Sequence, residues 1–270
     1  MKICLKIGIL KVNNIETFVT EDGSIGLYNK DLDEIYHSKY GAKSEAYEKF
    51  VEPAKIIDNH PLDILDLCYG IGYNTKCALE HLKNINSVDC VELDNNLVQK
   101  SPDFKYRDDI DEIIRKNLKE PDLIHFYIQD AREYIKNCKK QYDIIFHDGF
   151  APHKQSILWS EDFILKLSKL LKETGIYCTY NHSKPVLNAL FKAGLIVGHG
   201  NNSTVASFSS DLIKNSLNKF ELGQLNTKSA ITYKDKDLNL SHEEIMRQRL
   251  KEINSSSLQT LSGYLKSHKT

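Results

Sequence analysis

The sequence predicts an α/β protein built on a mostly parallel, doubly wound sheet with a terminal antiparallel strand and a small N-terminal β extension. Three observations carry that reading. Apolar runs of strand length alternate with helical periodicity from residue 63 onward, the pattern of a parallel sheet covered on both faces. Asp63-Ile-Leu-Asp-Leu-Cys-Tyr-Gly-Ile-Gly-Tyr-Asn-Thr75 reads as a buried strand that enters a glycine turn and then a helix. Residues 195–197 and 205–208 form a closing hairpin pair around the polar stretch 198–203.

Composition sets the outer bounds. A chain of 270 residues with 41% hydrophobic and 27% charged residues can bury a full core, so one large domain with appendages is expected. The divisions are an N-terminal β-hairpin and helix extension over 1–57, a core over 58–210 and a C-terminal appendage over 211–270. With 36 basic and 37 acidic residues the net charge is -1, so a nucleic-acid partner would need a local basic patch. The six cysteines are scattered without a Cys-x-x-Cys pair, which predicts reduced thiols and no metal site. No apolar run is long enough to span a membrane, and MKICLKIGIL is too short and too interrupted by lysine for a secretory signal. A cytoplasmic location is expected.

The elements follow in order. Residues 1–10 alternate loosely, and Asp22-Gly23 between ETFVT and SIGLY predicts a hairpin. A polar loop over 36–42 precedes a helix over 43–57, with Ala46, Phe50 and Val51 on one face and Pro53 bending or ending it. His37 in that loop is expected to be solvated. Strands are predicted at 87–93, 123–128, 142–147 and 176–180. Between the first two of these, two short helices broken at Ser101-Pro102 serve as cover. A helix over 159–172 with Ser160 as N-cap runs to a turn at Gly175, and another opens near Pro185 and ends at Gly194. Residues 211–237 read as irregular. Ser241-His-Glu-Glu244 is a capping box for a helix with Met246, Leu250 and Ile253 on one side, and the serine-rich tail from residue 254 reads as frayed.

The candidate chemistry sits at strand ends. Gly70 and Gly72 allow a tight turn and let a ligand approach the amides at a helix N-terminus. Glu92 ends the next strand, at the spacing where an acid accepts hydrogen bonds from both ribose hydroxyls of a nucleotide bound at that turn. Asp130 follows the third strand and suits either an adenine amine or the cap of its own helix. Asp148 follows the fourth strand and faces the glycine turn if strand order reverses there; a turn aspartate before Gly149 is the alternative.

With these motifs in place the chain resembles the class I S-adenosylmethionine (SAM)-dependent methyltransferases, and more narrowly the MnmC-type tRNA methyltransferase domain. The general likeness rests on Asp66-x-Cys68-x-Gly70-x-Gly72, Glu92 and Asp130-Ala131. The narrower one rests on Gly70-Ile-Gly-Tyr-Asn74, Asp148-Gly-Phe-Ala-Pro-His-Lys154 with Trp159, Thr179-Tyr180, Ala193-Gly194, Thr204-Val-Ala-Ser207 and the Tyr36-His-Ser38 loop with Glu45. Cys68 stands where the family usually has its first glycine, His147 where an apolar residue is commoner, and residues 198–203 lack the basic residues often found before Thr-Val-Ala-Ser.

The resemblance implies a Rossmann-like fold, SAM as cofactor and tRNA as partner. The reaction it implies is methyl transfer to the aminomethyl group of a wobble uridine. It assigns Asp66, Tyr69, Gly70, Gly72, Asn74, Glu92, Asp130 and Ala131 to the cofactor. Tyr36, Phe150, Pro152, Lys154, Trp159 and Tyr180 fall to the substrate, and Asp148 to holding the amine and assisting its deprotonation. For Trp159, core packing is the alternative. The family's fused FAD-dependent oxidoreductase has no counterpart glycine-rich unit in this sequence, so a stand-alone methyltransferase is expected. An aminopropyltransferase of the spermidine-synthase type is the rival enzyme, although its Gly-Gly-Gly-Asp-Gly turn is poorly matched by Cys68-Tyr-Gly70. A non-catalytic SAM-binding or RNA-binding module is the rival from another class.

Overall fold

The computed structural model describes residues 15–31 and 33–268; the alternating run at residues 1–10 lies outside them. Three short strands, β1 (Ile15–Val19), β2 (Ile25–Asn29) and β3 (Glu34–Ile35), form an antiparallel sheet of their own. Its hairpin turns at Gly23, whose φ of 80° suits glycine. The Asp22 carboxylate in that turn accepts hydrogen bonds from the Ser44 backbone at 3.0 Å and the Ser44 hydroxyl at 2.9 Å, fastening the hairpin to the helix that follows. That helix starts as α1 (Ala42–Ala46), widens to a π turn over Tyr47–Val51 and closes through α2 (Glu52–Ala54) and a 3-10 turn (Lys55–Ile57). Pro53 therefore does not end it. The π turn lies directly before the proline, where the regular ladder would bring its ring against a carbonyl.

The main sheet has seven strands in the order β6-β5-β4-β7-β8-β10-β9. They are β4 (Leu62–Leu67), β5 (Ile85–Glu92), β6 (Ile124–Ile128), β7 (Tyr142–His147), β8 (Leu171–Thr179), β9 (Ile196–His199) and β10 (Thr204–Ser207). The first five run parallel, and β10, the last strand of the chain, is antiparallel to both β8 and β9. Strand β4 is central and nearly all buried, which is why it reads as a continuous apolar run rather than an alternating one. The chain winds outward from β4 through β5 to β6, then returns to place β7 on the other side of β4. The switch in strand order thus falls between β4 and β7, with Leu67 level with His147.

Each face of the sheet carries its own core. On one face lie the 42–57 helix, α3 (Tyr73–His81), α4 (Asn95–Lys100) and α5 (Asp108–Lys119), burying Phe50, Ile71, Leu97, Ile110 and Ile114. On the other lie α6 (Ala131–Asn137), α7 (Glu161–Ser168) and α8 (Lys184–Lys192), burying Trp159, Phe163, Leu167, Leu187 and Leu190. The Ser160 hydroxyl caps α7 by accepting from Phe163 N at 3.1 Å.

Four expectations are corrected. Helix α7 stops at Ser168 and β8 starts at Leu171, so Gly175 lies inside a strand rather than in a turn. Residues 172–174 are polar, and a Cβ at Gly175 would come within 3.0 Å of the Asp143 and Tyr142 carbonyls, a close approach that no side chain would permit. The stretch from residue 211 holds α9 (Lys219–Gln224), opened by an Asn218 and Glu221 capping box. Helix α10 (His242–Ser255) has its capping box but buries Ile245, while Leu250 is 58% exposed. The tail ends in α11 (Leu261–Ser267), anchored by buried Tyr264, whose hydroxyl donates to Phe220 O at 3.1 Å.

The cover over the first core face is tied down by a buried lysine. Lys76 Nζ donates to Ser101 O at 2.6 Å and Phe104 O at 2.9 Å and pairs with Asp111 at 3.0 Å. Burial pulls its pKa down to about 8. Lys76→Ala would leave Asp111 buried without its cation, so chemical denaturation is expected to show a loss of about 3–5 kcal/mol. A loss below about 1 kcal/mol would mean the pair does not hold α3 to its cover.

Candidate active site

The switch between β4 and β7 opens into a cavity of about 330 Å³. Its floor is the stretch after β4, where three residues take left-handed φ values: Cys68 at 67°, Gly70 at 59° and Gly72 at 82°. The two glycines adopt that conformation freely, whereas Cys68 does so at a cost of about 1–2 kcal/mol. The thiol itself lines the cavity, and burial raises its pKa well above the usual range. At Gly72 any side chain would collide with the Tyr69 ring, which fills the space under the turn and shares a hydrogen bond with Ser101 Oγ at 2.9 Å.

Glu92, at the end of β5, holds this turn in place. One carboxylate oxygen accepts from Gly70 N at 2.9 Å, and the other from Leu93 N at 2.7 Å and Asp94 N at 3.0 Å. Burial raises its pKa against the pull of these amides. Below the turn, Asp66 is fully buried and accepts from Thr75 Oγ1 at 2.6 Å, with its other oxygen unpartnered. Burial lifts its pKa to about 6.

Asp148 follows β7 on the opposite side of the split. Its backbone N–H donates to Leu67 O at 3.2 Å, and its carboxylate accepts from Asn74 Nδ2 at 2.8 Å. Asn74 in the first turn of α3 thereby reaches across to the residue that follows β7. Burial pushes the Asp148 pKa up to about 8, and the nearby Glu45 carboxylate pushes the same way. The Tyr180 hydroxyl donates to Gly149 O at 2.9 Å, and Tyr36 meets Phe150 edge to face with centroids 4.8 Å apart.

The cavity walls include Tyr36, Cys68, Glu92, Asp130, Ala131, Asp148, Phe150 and Tyr180. Asp130 also caps α6, accepting from Arg132 N at 2.8 Å, so the cap is realised at a residue that faces the cavity. Asp66, Tyr69, Gly70, Gly72 and Asn74 lie outside the walls and shape the turn and Asp148 from behind. Pro152 and Lys154 are also outside them. Trp159 is fully buried behind the loop, stacked on His147 at 4.1 Å, with its indole N–H donating to Phe150 O at 2.6 Å. Core packing is therefore the role its surroundings give it.

Several wall residues escaped the sequence reading, among them Glu34, Gln129, Gln155, Ile157 and Leu158. His37 is not solvated as expected: it lines the cavity, its Nε2 is buried without a partner, and its ring meets Tyr73 edge-on at 5.0 Å. Burial lowers its pKa to about 4, so the ring is neutral. Glu45 appeared in the sequence only as a motif position. Here it accepts from Ser38 N at 2.7 Å and pairs with Lys49 at 2.6 Å, closing the cavity next to Asp148.

The electrostatics favour a cation. Glu34, Glu45, Glu92, Asp130 and Asp148 all face the cavity, and none of its lining residues is Lys or Arg. This suits SAM, which carries a sulfonium and an ammonium, as well as an amine acceptor. Glu92 on the wall is a carboxylate at the strand end next to the turn, the position from which an acid accepts from ribose hydroxyls in nucleotide-binding sheets.

The Asp148 shift has a stability consequence. Its folded pKa of about 8 lies above the ordinary carboxylate value of 3.8, so between those limits the unfolded chain has lost a proton that the folded chain keeps. Stability contributed by this group is present below about pH 4 and lost as pH rises through 8. Asp148→Asn removes that loss. The variant is expected to gain at least about 1 kcal/mol on wild type between pH 5 and pH 7, with water in the cavity limiting the effect. Melting curves at the two pH values check this, and parallel curves would place Asp148 in a well-hydrated setting.

Comparison with known proteins meets this geometry. The family profile of S-adenosyl-L-methionine-dependent methyltransferases matches residues 100–207. An uncharacterised protein of Methanocaldococcus jannaschii is 31% identical over 252 residues, covering 85% of this chain and 70% of that protein. The tRNA 5-methylaminomethyl-2-thiouridine biosynthesis bifunctional protein MnmC of Burkholderia thailandensis is 38% identical over 65 residues, which are 24% of this chain and only 10% of that protein. Among solved structures, MnmC2 of Aquifex aeolicus superposes with a TM-score of 0.76 at 27% identity, covering 90% of this chain and 86% of that one. Spermidine synthase of Thermotoga maritima shares the fold more loosely, with a TM-score of 0.57 at 17% identity over 91% of this chain and 83% of its own. The sequence relatives, the superposition and an acidic cavity over a glycine turn agree, and the chain belongs to the S-adenosyl-L-methionine-dependent methyltransferases.

Proposed function

We propose that the methyl acceptor is the primary amine of an aminomethyl group on the modified wobble uridine of a tRNA. The observation that carries this reading is Asp148, a carboxylate at the switch point with a neutral hydrogen-bond partner and a pKa raised to about 8. The MnmC names of the partial sequence relatives and of the Aquifex structure support the tRNA half.

SAM supplies an activated methyl group on a sulfonium, so the protein's task is to align an amine lone pair and exclude water. Glu92 accepts from the ribose hydroxyls with the lone pairs its amide donors leave free. Asp130 and Ala131 would hold the adenine, and the turn from Cys68 to Gly72 the methionine part. The acceptor arrives mostly as an ammonium. As the ammonium settles beside it, Asp148 releases its own proton to solvent; the carboxylate then accepts a hydrogen bond from the ammonium and takes its proton, a transfer helped by a carboxyl whose pKa lies near working pH. Tyr36, Phe150 and Tyr180 shape the base pocket, with Pro152 buried in the loop behind them, and Lys154 on that loop serves as a phosphate contact.

Two measurements test this function. Glu92→Ala removes both ribose hydrogen bonds, each worth about 1.5–3 kcal/mol when charge-assisted, and is expected to weaken SAM binding at least tenfold by calorimetry. An unchanged dissociation constant would remove Glu92 from the ribose. Asp148→Asn is expected to leave SAM affinity within about twofold and to lower turnover about a hundredfold, read by nucleoside mass spectrometry on tRNA lacking the methyl group. Equal loss of affinity and turnover would assign Asp148 to the cofactor. Aminopropyl transfer from decarboxylated SAM to a free polyamine would establish the spermidine-synthase reading in place of this one.

A further inference from the structure

We propose that residues 235–242, beyond the last strand, brace both walls of the cavity, and that Arg132 and His242 are the positioning residues through which they do so. The segment is itself firmly built. Asp235 is fully buried, its carboxylate accepts from Asn239 N at 2.9 Å and Leu240 N at 3.1 Å, and its backbone N–H donates to Asp162 at 2.7 Å. Leu238 is buried in a left-handed conformation with φ 52°, a strain that persists only where the surroundings over-determine the backbone.

One end of this segment reaches the cofactor wall. Arg132 donates from Nη1 to Leu240 O at 2.9 Å and lies 3.6 Å from Asp235, while its Nη2 pairs with Asp130 at 2.9 Å. The guanidinium therefore fixes the rotamer of the carboxylate that borders the cavity. Burial would raise the Asp130 pKa, and the Arg132 hydrogen bonds outweigh it and hold the group below its usual value. Lys136, one turn further along α6, donates to Leu238 O at 3.1 Å and fastens the same segment.

The other end reaches the acceptor wall. His242 Nδ1 accepts from Ser156 N at 3.1 Å and shares a hydrogen bond with Ser156 Oγ at 2.9 Å. Ser156 opens the short 3-10 turn Ser156–Leu158, and Gln155, Ile157 and Leu158 line the cavity. Trp159 then holds the Phe150 carbonyl, so the loop from Asp148 to Trp159 is closed at its far end by His242. A shift of this turn by about 1 Å would misplace the acceptor, a displacement known to cost on the order of a hundredfold in rate.

The test uses the full chain and three readouts: SAM affinity by calorimetry, the indole N–H resonance of Trp159, and acceptor kinetics. Trp159 is the only tryptophan in the sequence, so its resonance reports on the loop without ambiguity. Arg132→Gln is expected to weaken SAM at least fivefold while turnover at saturating SAM stays within twofold. His242→Leu is expected to move the Trp159 resonance and lower acceptor kcat/KM about tenfold, with SAM affinity within twofold. His242→Asn should restore both, because its side-chain oxygen can accept from Ser156 N. Should Arg132→Gln fail to fold, Arg132→Lys, which keeps charge but loses the planar fork, is read in its place. The brace is overturned if the variants lower only the melting temperature, leaving affinity, resonance and turnover per folded molecule unchanged, or if His242→Asn behaves like His242→Leu. The acceptor arm rests on the proposed tRNA reaction. If wild type does not methylate tRNA, that reading fails by itself, and the affinity and resonance arms still decide the brace.

Discussion

The hydrogen bond between Asn74 and Asp148 spans the point where the sheet changes winding direction, and the site is arranged around it. Two residues separated by 73 others in between meet there because β4 and β7 are neighbours, with the Asp148 amide donating to Leu67 O. The partner is neutral, so the carboxylate is oriented without being neutralised. A buried carboxylate in that condition keeps its proton unless a cation arrives, and the acidic walls around it make a cation the favoured guest. Under the proposed reaction the same residue would set where an amine binds and how readily it gives up a proton.

The glycine turn opposite is held by a second carboxylate. Glu92 gathers amides from Gly70, Leu93 and Asp94, which fixes the end of β5 relative to the turn after β4. Beneath it the Tyr69 ring occupies the volume that a side chain at position 72 would need. The turn is consequently rigid from both sides, and the strain at Cys68 is sustained by that support rather than by glycine's own freedom. Lys76 carries the rigidity further out, since its three contacts bind α3 to the segment from Ser101 to Asp111.

The two enzyme classes compatible with this fold differ less in scaffold than in what the cavity accepts. Spermidine synthase shares the architecture at low identity, which speaks to the sheet and its crossings and not to the reaction. The stronger likeness to MnmC2 extends over 90% of the chain, and within this chain the C-terminal region reaches back to the cavity loop through Ser156 and His242. Specificity in such a site depends on loops held in place by their surroundings more than on the strands that carry the carboxylates.

The strand ends were legible in the sequence because a buried parallel strand must be a short apolar run, and because a ligand at a switch point needs glycine and carboxylate at the residues that follow. Asp63 to Thr75, Glu92, Asp130 and Asp148 announce themselves in that way. The sequence could not separate residues that line the cavity from those that support it. Asp66, Tyr69 and Asn74 share a motif with Cys68, yet only Cys68 among these four reaches the wall, since side-chain direction at a tight turn depends on backbone dihedrals that composition does not specify. Trp159 looked like a pocket residue and packs instead on His147 behind the loop. His37 looked solvated and is enclosed, because the separate N-terminal sheet folds its loop over the cavity, a contact between segments with no local signature. Gly175 marked a turn by composition and lies within β8, where the approach of a neighbouring strand, visible only in the assembled sheet, requires a residue without a side chain.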